Sequence, residues 1–199
     1  MIEPEELRQQ LNLGELPAEF TPNTNISPGQ LVPVVINPEN REVSLYRWGL
    51  IPGWAKDAKI GYKMFNARAE TIAEKPSFRV PFQKRRCLIL ADGFYEWKNE
   101  GGKKTPYLFA LKERRPFTFA WLWDLWRDAS GNEVRSCTII TTTPNDLISR
   151  FHDRMPVILD EQSRWSWLGS GNLDQMKSYL VPIDPGRMAD PIPVVLSSR

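Results

Sequence analysis

The stretch RCLILADGFYEWK, residues 86–98, decides the fold, because it contains two apolar or aromatic runs separated by a turn signal. The run CLIL is typical of a buried strand, Asp92-Gly93 favours a turn, and the aromatic residues of FYEWK favour a second strand. Other segments of this kind are LVPVVI (31–36), VSLYRWGL (43–50), FNARAE (65–70), PYLFAL (106–111), FTFAWLW (117–123) and VRSCTIITT (134–142). Many short strands in succession predict an α+β fold that is mostly antiparallel β and barrel-like, with a few short helices.

Helical signals are few. Pro4 suits the first turn of a helix, acidic neighbours complement its dipole and Gly14 ends it, which predicts a helix over residues 3–13. Further short helices are expected near 145–150, 161–168 and 172–180. With 199 residues and neither linker nor repeat, the chain is predicted to form a single domain over 1–199.

Charge and cysteine content argue against several classes of function. The net charge is +2, from 26 Lys and Arg against 24 Asp and Glu, so nucleic acid would have to bind locally, through few phosphates. A Cys/His zinc site is not expected, since the chain has one histidine and Cys87 and Cys137 are far apart in sequence. A disulfide between these two cysteines is left open. Neither a membrane span nor a signal peptide is predicted, which makes the cytoplasm the expected location.

Polar residues alternate in the segment Asn66-Ala67-Arg68-Ala69-Glu70. If the segment is a strand, Asn66, Arg68 and Glu70 lie on one face, and the two alanines let another element approach the other face. An amide, a guanidinium and a carboxylate in one row are candidates for a functional site. A solvent-exposed Arg–Glu pair of little energetic value is the simpler interpretation.

Glu96 and His152 are the candidates for proton transfer. Glu96 lies between Tyr95 and Trp97, and partly dry surroundings of this kind raise the pKa of a carboxyl group. His152 is the only histidine, and it lies in a predicted loop before the strand PVIL (156–159). An exposed glutamate on an edge strand and a histidine without a role are the simpler alternatives.

The loop WGLIPGW (48–54) is a further candidate site. Its glycines and its proline hold an apolar, aromatic loop in shape. Such a loop either stacks against bases, through Trp54 and Pro52, or is simply buried. The loop alone does not distinguish these two interpretations.

Five motifs occur in the order and approximate spacing of one family. They are NISPGQ (25–30), WGLIPGW (48–54), NARAET (66–71), RRCLILADGFYEW (85–97) and HDRMPVIL (152–159). Through them the chain resembles the SOS response-associated peptidase (SRAP) family, which implies action on abasic sites in single-stranded DNA. In that family the amine of an N-terminal cysteine condenses with the ring-opened sugar aldehyde. The cysteine thiol then closes a thiazolidine, which gives a stable DNA–protein crosslink.

The resemblance implies catalytic roles for three residues. Asn66 matches the family residue that orients the cysteine and the sugar. Glu96 matches the carboxylate that relays protons and takes part in self-removal of residues ahead of the cysteine. His152 matches the imidazole that assists ring opening and Schiff-base formation.

The resemblance implies DNA contacts as well. Arg68 is expected to meet the phosphate near the lesion, and Arg154 is a second phosphate candidate. Trp54 and Pro52 lie in the loop that is expected to stack against or wedge the bases. The implied partner is single-stranded DNA with abasic sites, including sites at junctions with double strands. It is expected to be bound by a monomer without a metal, another cofactor or a membrane.

Both ends of the chain depart from the family pattern. Family members open with Met-Cys-Gly-Arg and a short strand, whereas this chain opens Met1-Ile2-Glu3-Pro4 and also ends early, so the domain looks clipped. Cys87 and Cys137 do not replace the nucleophile, because neither has a free α-amine. A start set too far downstream is the favoured explanation; trimming of the chain and a natural inactive variant are the others.

The leading hypothesis is an abasic-site processing protein with autopeptidase and lyase-like chemistry, in which Asn66, Glu96 and His152 form the site and the nucleophile lies upstream. As it stands, the 199-residue chain is expected not to crosslink DNA. The alternatives are a catalytically inactive single-strand DNA-binding module and a peptidase limited to self-processing.

Overall fold

The computed structural model of the chain describes residues 2–196. Its helices are α1 (Pro4–Leu11), α2 (Pro76–Lys84), α3 (Ser163–Leu168) and α4 (Leu173–Ser178), with 3-10 turns at Ala58–Lys63, Ala69–Thr71, Lys112–Arg114, Ile148–Arg150 and Pro185–Arg187. Its strands are β1 (Leu31–Val35), β2 (Val43–Trp48), β3 (Asn66–Arg68), β4 (Arg86–Ala91), β5 (Phe94–Glu100), β6 (Lys103–Phe109), β7 (Phe117–Arg127), β8 (Glu133–Thr142), β9 (Met155–Pro156), β10 (Ile158–Leu159) and β11 (Ile192–Pro193). Within residues 2–196 no helix has the length and apolar character needed to cross a membrane.

Most strands belong to one large sheet. The strand order is β10-β7-β4-β1-β2-β8-β3, with β9 added to β8, and β7 also pairs with β8. The sheet is therefore ring-like but not closed, which confirms the predicted α+β, barrel-like class. It is mostly antiparallel, as expected, but β8 pairs in parallel with both β2 and β3.

The turn at Asp92-Gly93 carries the chain from one sheet to another. β4 belongs to the large sheet, whereas β5 pairs with β6 in a three-stranded sheet of order β11-β6-β5. A Cβ atom on Gly93 would lie 2.7 Å from Leu108 Cδ1 and 3.1 Å from the Phe109 carbonyl oxygen, so a larger residue there would displace the Leu108 side chain and crowd the Phe109 backbone. The chain therefore changes direction at Asp92-Gly93, as predicted, but the strands before and after it belong to different sheets.

The core has two parts, one on each face of the large sheet. Along β4, Cys87 and Ile89 pack in a cluster with Trp121, while Leu88 and Leu90 pack in a cluster with the helices. This alternation follows from the two-residue period of a strand with both faces buried. β4 is consequently a strand buried on both faces, as its apolar run predicted.

Helix α2 was not predicted from the sequence. Pro76 stands in its first turn, where proline is tolerated, but Pro81 lies inside it and interrupts the helical signal. The helix still forms, because Phe82 is fully buried against the core. Tertiary packing outweighs local propensity here.

Two expectations from the sequence need correction. The strand expected over FNARAE ends at Arg68, and Glu70 lies in the 3-10 turn Ala69–Thr71, so Asn66, Arg68 and Glu70 do not form one strand face. The disulfide that the sequence left open is not formed. Cys87 and Cys137 are free and buried, and burial raises the pKa of both thiols well above its ordinary value.

Arg86 joins two helices to the sheet. It is buried at the start of β4, and its guanidinium donates to the carbonyl oxygens of Phe82 at 2.7 Å and Gln83 at 3.0 Å in α2. It also donates to the carbonyl oxygens of Trp167 at 2.7 Å and Gly169 at 2.5 Å, at the end of α3. One buried cation thus satisfies four carbonyl groups that the helix ends leave open.

We expect Arg86→Met to lower the free energy of unfolding by about 2–4 kcal/mol, because four carbonyl groups lose a charged donor. Urea unfolding followed by circular dichroism measures the change. The matched control is Arg8→Met, which removes the exposed pair with Glu5 and should cost less than about 1 kcal/mol. Equal losses in the two variants would contradict a structural role for Arg86.

Candidate functional site

A cleft of about 1680 Å³ is bordered by residues of both sheets. Its lining includes the segment 19–30, strand β3, strand β5 and the loop that precedes β9. Five of the residues predicted from the sequence lie on its wall, and these are Asn66, Arg68, Glu96, His152 and Arg154. The fold therefore gathers in one place side chains that are up to 88 positions apart in the sequence (from 66 to 154).

Strand β3 presents Asn66 and Arg68 to the cleft. It lies parallel to β8, with Ala67 opposite Ile140, and Ala67 is buried. Because side chains alternate along a strand, Asn66 and Arg68 point the other way, and both are exposed. The small side chain of Ala67 allows β3 to pack on the core while the amide and the guanidinium remain accessible.

Glu96 is the residue with the most altered acidity in the cleft. It lies on β5, opposite Tyr107 of β6. Burial raises its pKa from 4.5 to about 7; the charge of His152 opposes this rise and that of Asp153 adds to it. A carboxyl group with this pKa both gives and takes a proton near neutral pH.

His152 is held in place by its own loop. Its backbone N–H donates to the Ile148 carbonyl oxygen at 2.9 Å, and the preceding Phe151 ring packs against Tyr107 and Phe109 of β6, with centroids 4.9 and 5.0 Å apart. Its Nδ1 lies 3.1 Å from both the backbone nitrogen and the carbonyl oxygen of Arg154. It accepts from the N–H in one neutral tautomer and donates to the carbonyl oxygen in the other, so both contacts orient the ring and neither fixes the proton.

Arg154 is already engaged by the protein. Its guanidinium donates to both carboxylate oxygens of Glu70 at 2.8 Å and to the Thr141 carbonyl oxygen at 2.7 Å. The hydrogen bonds from Arg154 lower the pKa of Glu70. The Arg–Glu pair expected within the NARAE segment is not formed: Glu70 pairs with Arg154 instead, and Arg68 remains the freer cation.

Two predicted DNA contacts lie outside this cleft. Pro52 is buried. Trp54 is 62% exposed, but it borders a separate small cavity together with Val80 and Arg85 of the α2 region. The structure therefore does not bring the WGLIPGW loop tip to Glu96 and His152.

Residues that the sequence did not single out also line the cleft. Trp97, next to Glu96, is 46% exposed there. Ile2 lines the cleft too, and its N–H donates to Asp92 Oδ2 at 3.0 Å. The aromatic flank of Glu96 was a signal for Trp97, whereas the contact of Ile2 with Asp92 spans 90 positions and has no local signal.

The arrangement is suited to proton transfer next to an anion. It offers a carboxyl group with a pKa near neutrality, an imidazole oriented by its own loop, an amide and an exposed guanidinium. In the described part of the chain, no group of three or more His, Cys, Asp or Glu is placed to hold a metal ion. The residues at hand are those of acid–base chemistry beside a cation that can bind an anionic group.

Known proteins are similar to this chain in sequence. "Abasic site processing protein YoqW" of Bacillus subtilis (strain 168) is 47% identical over 190 residues, which cover 92% of this chain and 85% of that protein. "Abasic site processing protein HMCES" of Rattus norvegicus is 31% identical, over 96% of this chain and 66% of that protein.

Solved structures are also similar to this chain. A crystal structure of a Bordetella bronchiseptica protein matches with a TM-score of 0.87 at 28% identity, over 98% of this chain and 97% of that one. One from Bacteroides thetaiotaomicron matches with a TM-score of 0.79 at 35% identity, over 84% of this chain and 75% of that one. The family model of the SOS response associated peptidase (SRAP) matches residues 1–194. The resemblance read from the five motifs is confirmed, and the chain belongs to the SRAP family.

Proposed function

We propose that this protein processes abasic sites in single-stranded DNA by bonding covalently to the opened sugar. The observation that carries the proposal is the shared cleft of Asn66, Glu96 and His152, in which Glu96 has a pKa of about 7. The names of the relatives, abasic site processing proteins, support it. Asn66, Glu96 and His152 are the proposed catalytic residues.

The nucleophile of the proposal is the amine and thiol of a cysteine placed ahead of Ile2. Ile2 lines the cleft and is tied to Asp92, so residues joined in front of it start at the cleft wall. A segment of about eight residues reaches up to about 27 Å when extended, which is ample to cross such a cleft. Cys87 and Cys137 are unsuited to the role, because both are fully buried.

The reaction proceeds in three proton-coupled steps. The imidazole of His152 takes the proton of the anomeric hydroxyl and returns a proton to the ring oxygen as the ring C–O bond breaks, which leaves the aldehyde and a free hydroxyl group. The cysteine amine then adds to the aldehyde carbon, Glu96 transfers protons, and one water leaves to give an imine. Finally the thiol adds across the C=N bond, its sulfur to carbon and its proton to nitrogen, which closes the thiazolidine.

The other residues position the substrate. Asn66 is exposed on β3 and offers both a donor and an acceptor to the sugar and the cysteine. Arg68 binds the phosphate beside the lesion, since its guanidinium is accessible while that of Arg154 is occupied by Glu70. Trp97 supplies an exposed indole on which a neighbouring base stacks.

Self-removal of residues ahead of the cysteine uses the same carboxylate. Above its pKa of about 7, Glu96 takes a proton from a water molecule that attacks the peptide carbonyl, and then gives it to the leaving amine. This activity is confined to the segment that enters the cleft. It prepares the free α-amine that the crosslink requires.

The first test extends the chain in front of Ile2 by about eight residues that begin Met-Cys-Gly-Arg. After incubation with an oligonucleotide that contains an abasic site, a denaturing gel should show a crosslinked band for the extended chain and none for the 199-residue chain. The matched control carries Ser in place of the added Cys and should give no stable band.

The outcomes separate the two candidate functions. If the extended chain binds the oligonucleotide but never crosslinks, the inactive single-strand-binding module is the correct interpretation. A crosslink formed by the 199-residue chain itself would show that the nucleophile is assigned wrongly.

The second test concerns the acidity of Glu96. Because its pKa rises on folding, the folded state keeps a proton that the unfolded state loses, so this stabilisation is present below about pH 4.5 and is lost as pH rises towards 7. Glu96→Gln removes this dependence. Relative to the parent, its free energy of unfolding should increase by about 1–3 kcal/mol between about pH 5 and pH 8.

Urea unfolding at both pH values measures this difference. The control, Glu74→Gln, changes an exposed carboxylate and should follow the parent profile. A Glu96→Gln variant whose stability runs parallel to the parent from about pH 5 to pH 8 would contradict the proposed acidity of this residue.

The third test concerns phosphate contact by Arg68. For Arg68→Met, the slope of log K against log salt for a single-stranded oligonucleotide should become shallower by about 0.7, because one fewer counterion is released. Arg79→Met, which removes an exposed arginine of α2, is the matched control. Fluorescence anisotropy over a salt series gives the slopes of the two variants. Equal slopes for Arg68→Met and Arg79→Met would show that Arg68 does not contact a phosphate.

A further inference from the structure

Tyr62 is an aromatic side chain that the core does not use. It lies in the 3-10 turn Ala58–Lys63 and is 66% exposed. Its ring is held instead by Arg47 of β2, whose guanidinium carbon lies 5.3 Å from the ring centroid. A tyrosine ring normally contributes by burying its large apolar area, so a ring displayed in this way is available to a ligand.

The turn that carries Tyr62 is rigidly attached to the sheet. Gly61 and Gly49 are in direct backbone contact, and a Cβ atom on Gly61 would lie 2.8 Å from the Gly49 carbonyl oxygen. The Leu50 N–H donates to the Met64 carbonyl oxygen at 2.9 Å and closes the other side of the turn. The backbone that carries the ring is therefore held in place before any ligand binds, which lowers the entropic cost of binding.

Two observations place the Tyr62 ring near the cleft. Tyr62 precedes Asn66 by four residues, so their Cα atoms are at most about 14 Å apart. Arg47, which holds the ring, pairs across the sheet with Leu31, and Leu31 is 57% exposed and lines the cleft. Tyr62 and Arg47 do not line the cleft themselves, but each is close to a residue that does, Asn66 along the chain and Leu31 across the sheet.

The surroundings of the ring are cationic. Lys59 and Lys63 are exposed on the same turn, and Arg47 contributes a third positive charge. A flat ring beside cations fits a base and its phosphates. A protein partner would need a contact area of about 800 Å², which one displayed ring and its flexible lysines do not provide.

We propose that Tyr62 and Arg47 form a stacking site for a base of the single DNA strand where the strand leaves the cleft. This inference rests on the proposed function, because it takes the strand in the cleft as its starting point. The ligand is a flanking nucleotide on one side of the lesion only, since a strand in the cleft has one direction. Lys59 and Lys63 bind the phosphates that follow it.

The test uses two oligonucleotides with a tetrahydrofuran abasic analogue, which has no aldehyde and binds without crosslinking. In one, about six nucleotides follow the lesion on its 3′ side only, and in the other they precede it on its 5′ side only. Tyr62→Ala should weaken binding to one of the two by about 5- to 150-fold and leave the other within about 2-fold. Tyr62→Phe, which keeps the ring, should bind both like the parent.

Fluorescence anisotropy gives the affinities, and circular dichroism checks that the variants are folded. If Tyr62→Ala weakens the binding of both oligonucleotides equally, or of neither, the stacking site is overturned. The proposed function still stands in that case if the parent binds lesion-containing strands more tightly than undamaged ones. If the parent shows no such preference, the proposed function fails and this inference fails with it.

Discussion

Strand β8 uses both of its edges, and the geometry of the cleft depends on this. On one edge it pairs in parallel with β3, with Thr141 opposite Arg68; on the other it pairs with β9, with Thr141 opposite Pro156. Neighbouring strands lie about 4.8 Å apart, so β3 and β9 are fixed about 10 Å from each other, on either side of one residue. The loop that contains His152 runs directly into β9, and its Arg154 bonds back to the Thr141 carbonyl oxygen. Backbone pairing thus places the strand of Asn66 and the strand that follows the His152 loop on the two edges of β8.

The carboxyl group comes from the small sheet, where Glu96 of β5 pairs with Tyr107 of β6. The His152 loop meets this sheet through Phe151, whose ring packs against Tyr107 and Phe109. Burial is the largest contribution to the raised pKa of Glu96, and the charge of His152 opposes it. The surroundings that place Glu96 on the cleft wall therefore also raise its pKa.

The sequence predicted what depends on local patterns and missed what depends on long-range contacts. The strands β4, β7 and β8 followed from apolar runs, and helix α1 from Pro4 and its acidic neighbours. Helix α2 was missed because Pro81 breaks the helical pattern, and its stability comes from the burial of Phe82. In the site, the motifs indicated Asn66, Glu96 and His152, but the pairing of Arg154 with Glu70 joins residues 84 positions apart. Nothing in the spacing of the residues could have distinguished the occupied arginine from the free one.

A nearly neutral protein can still bind a polyanion locally, because some of its lysines and arginines form ion pairs with carboxylates and others do not. Several arginines away from Tyr62 and Arg68 are neutralised by carboxylates, in the pairs Arg8–Glu5, Arg85–Asp124, Arg115–Glu113 and Arg127–Glu133. Among residues 2–196, by contrast, Arg47, Lys59, Lys63 and Arg68 form no ion pair with a carboxylate. Since pairing leaves little field at a distance, these four cations keep more of their field than the paired arginines do. The net charge of +2 therefore limits the length of DNA that the protein can bind through its phosphates, but it does not exclude tight binding of a single phosphate by a residue such as Arg68. Under the proposed function a low net charge favours selectivity, because less of the binding then comes from phosphates that damaged and undamaged strands share.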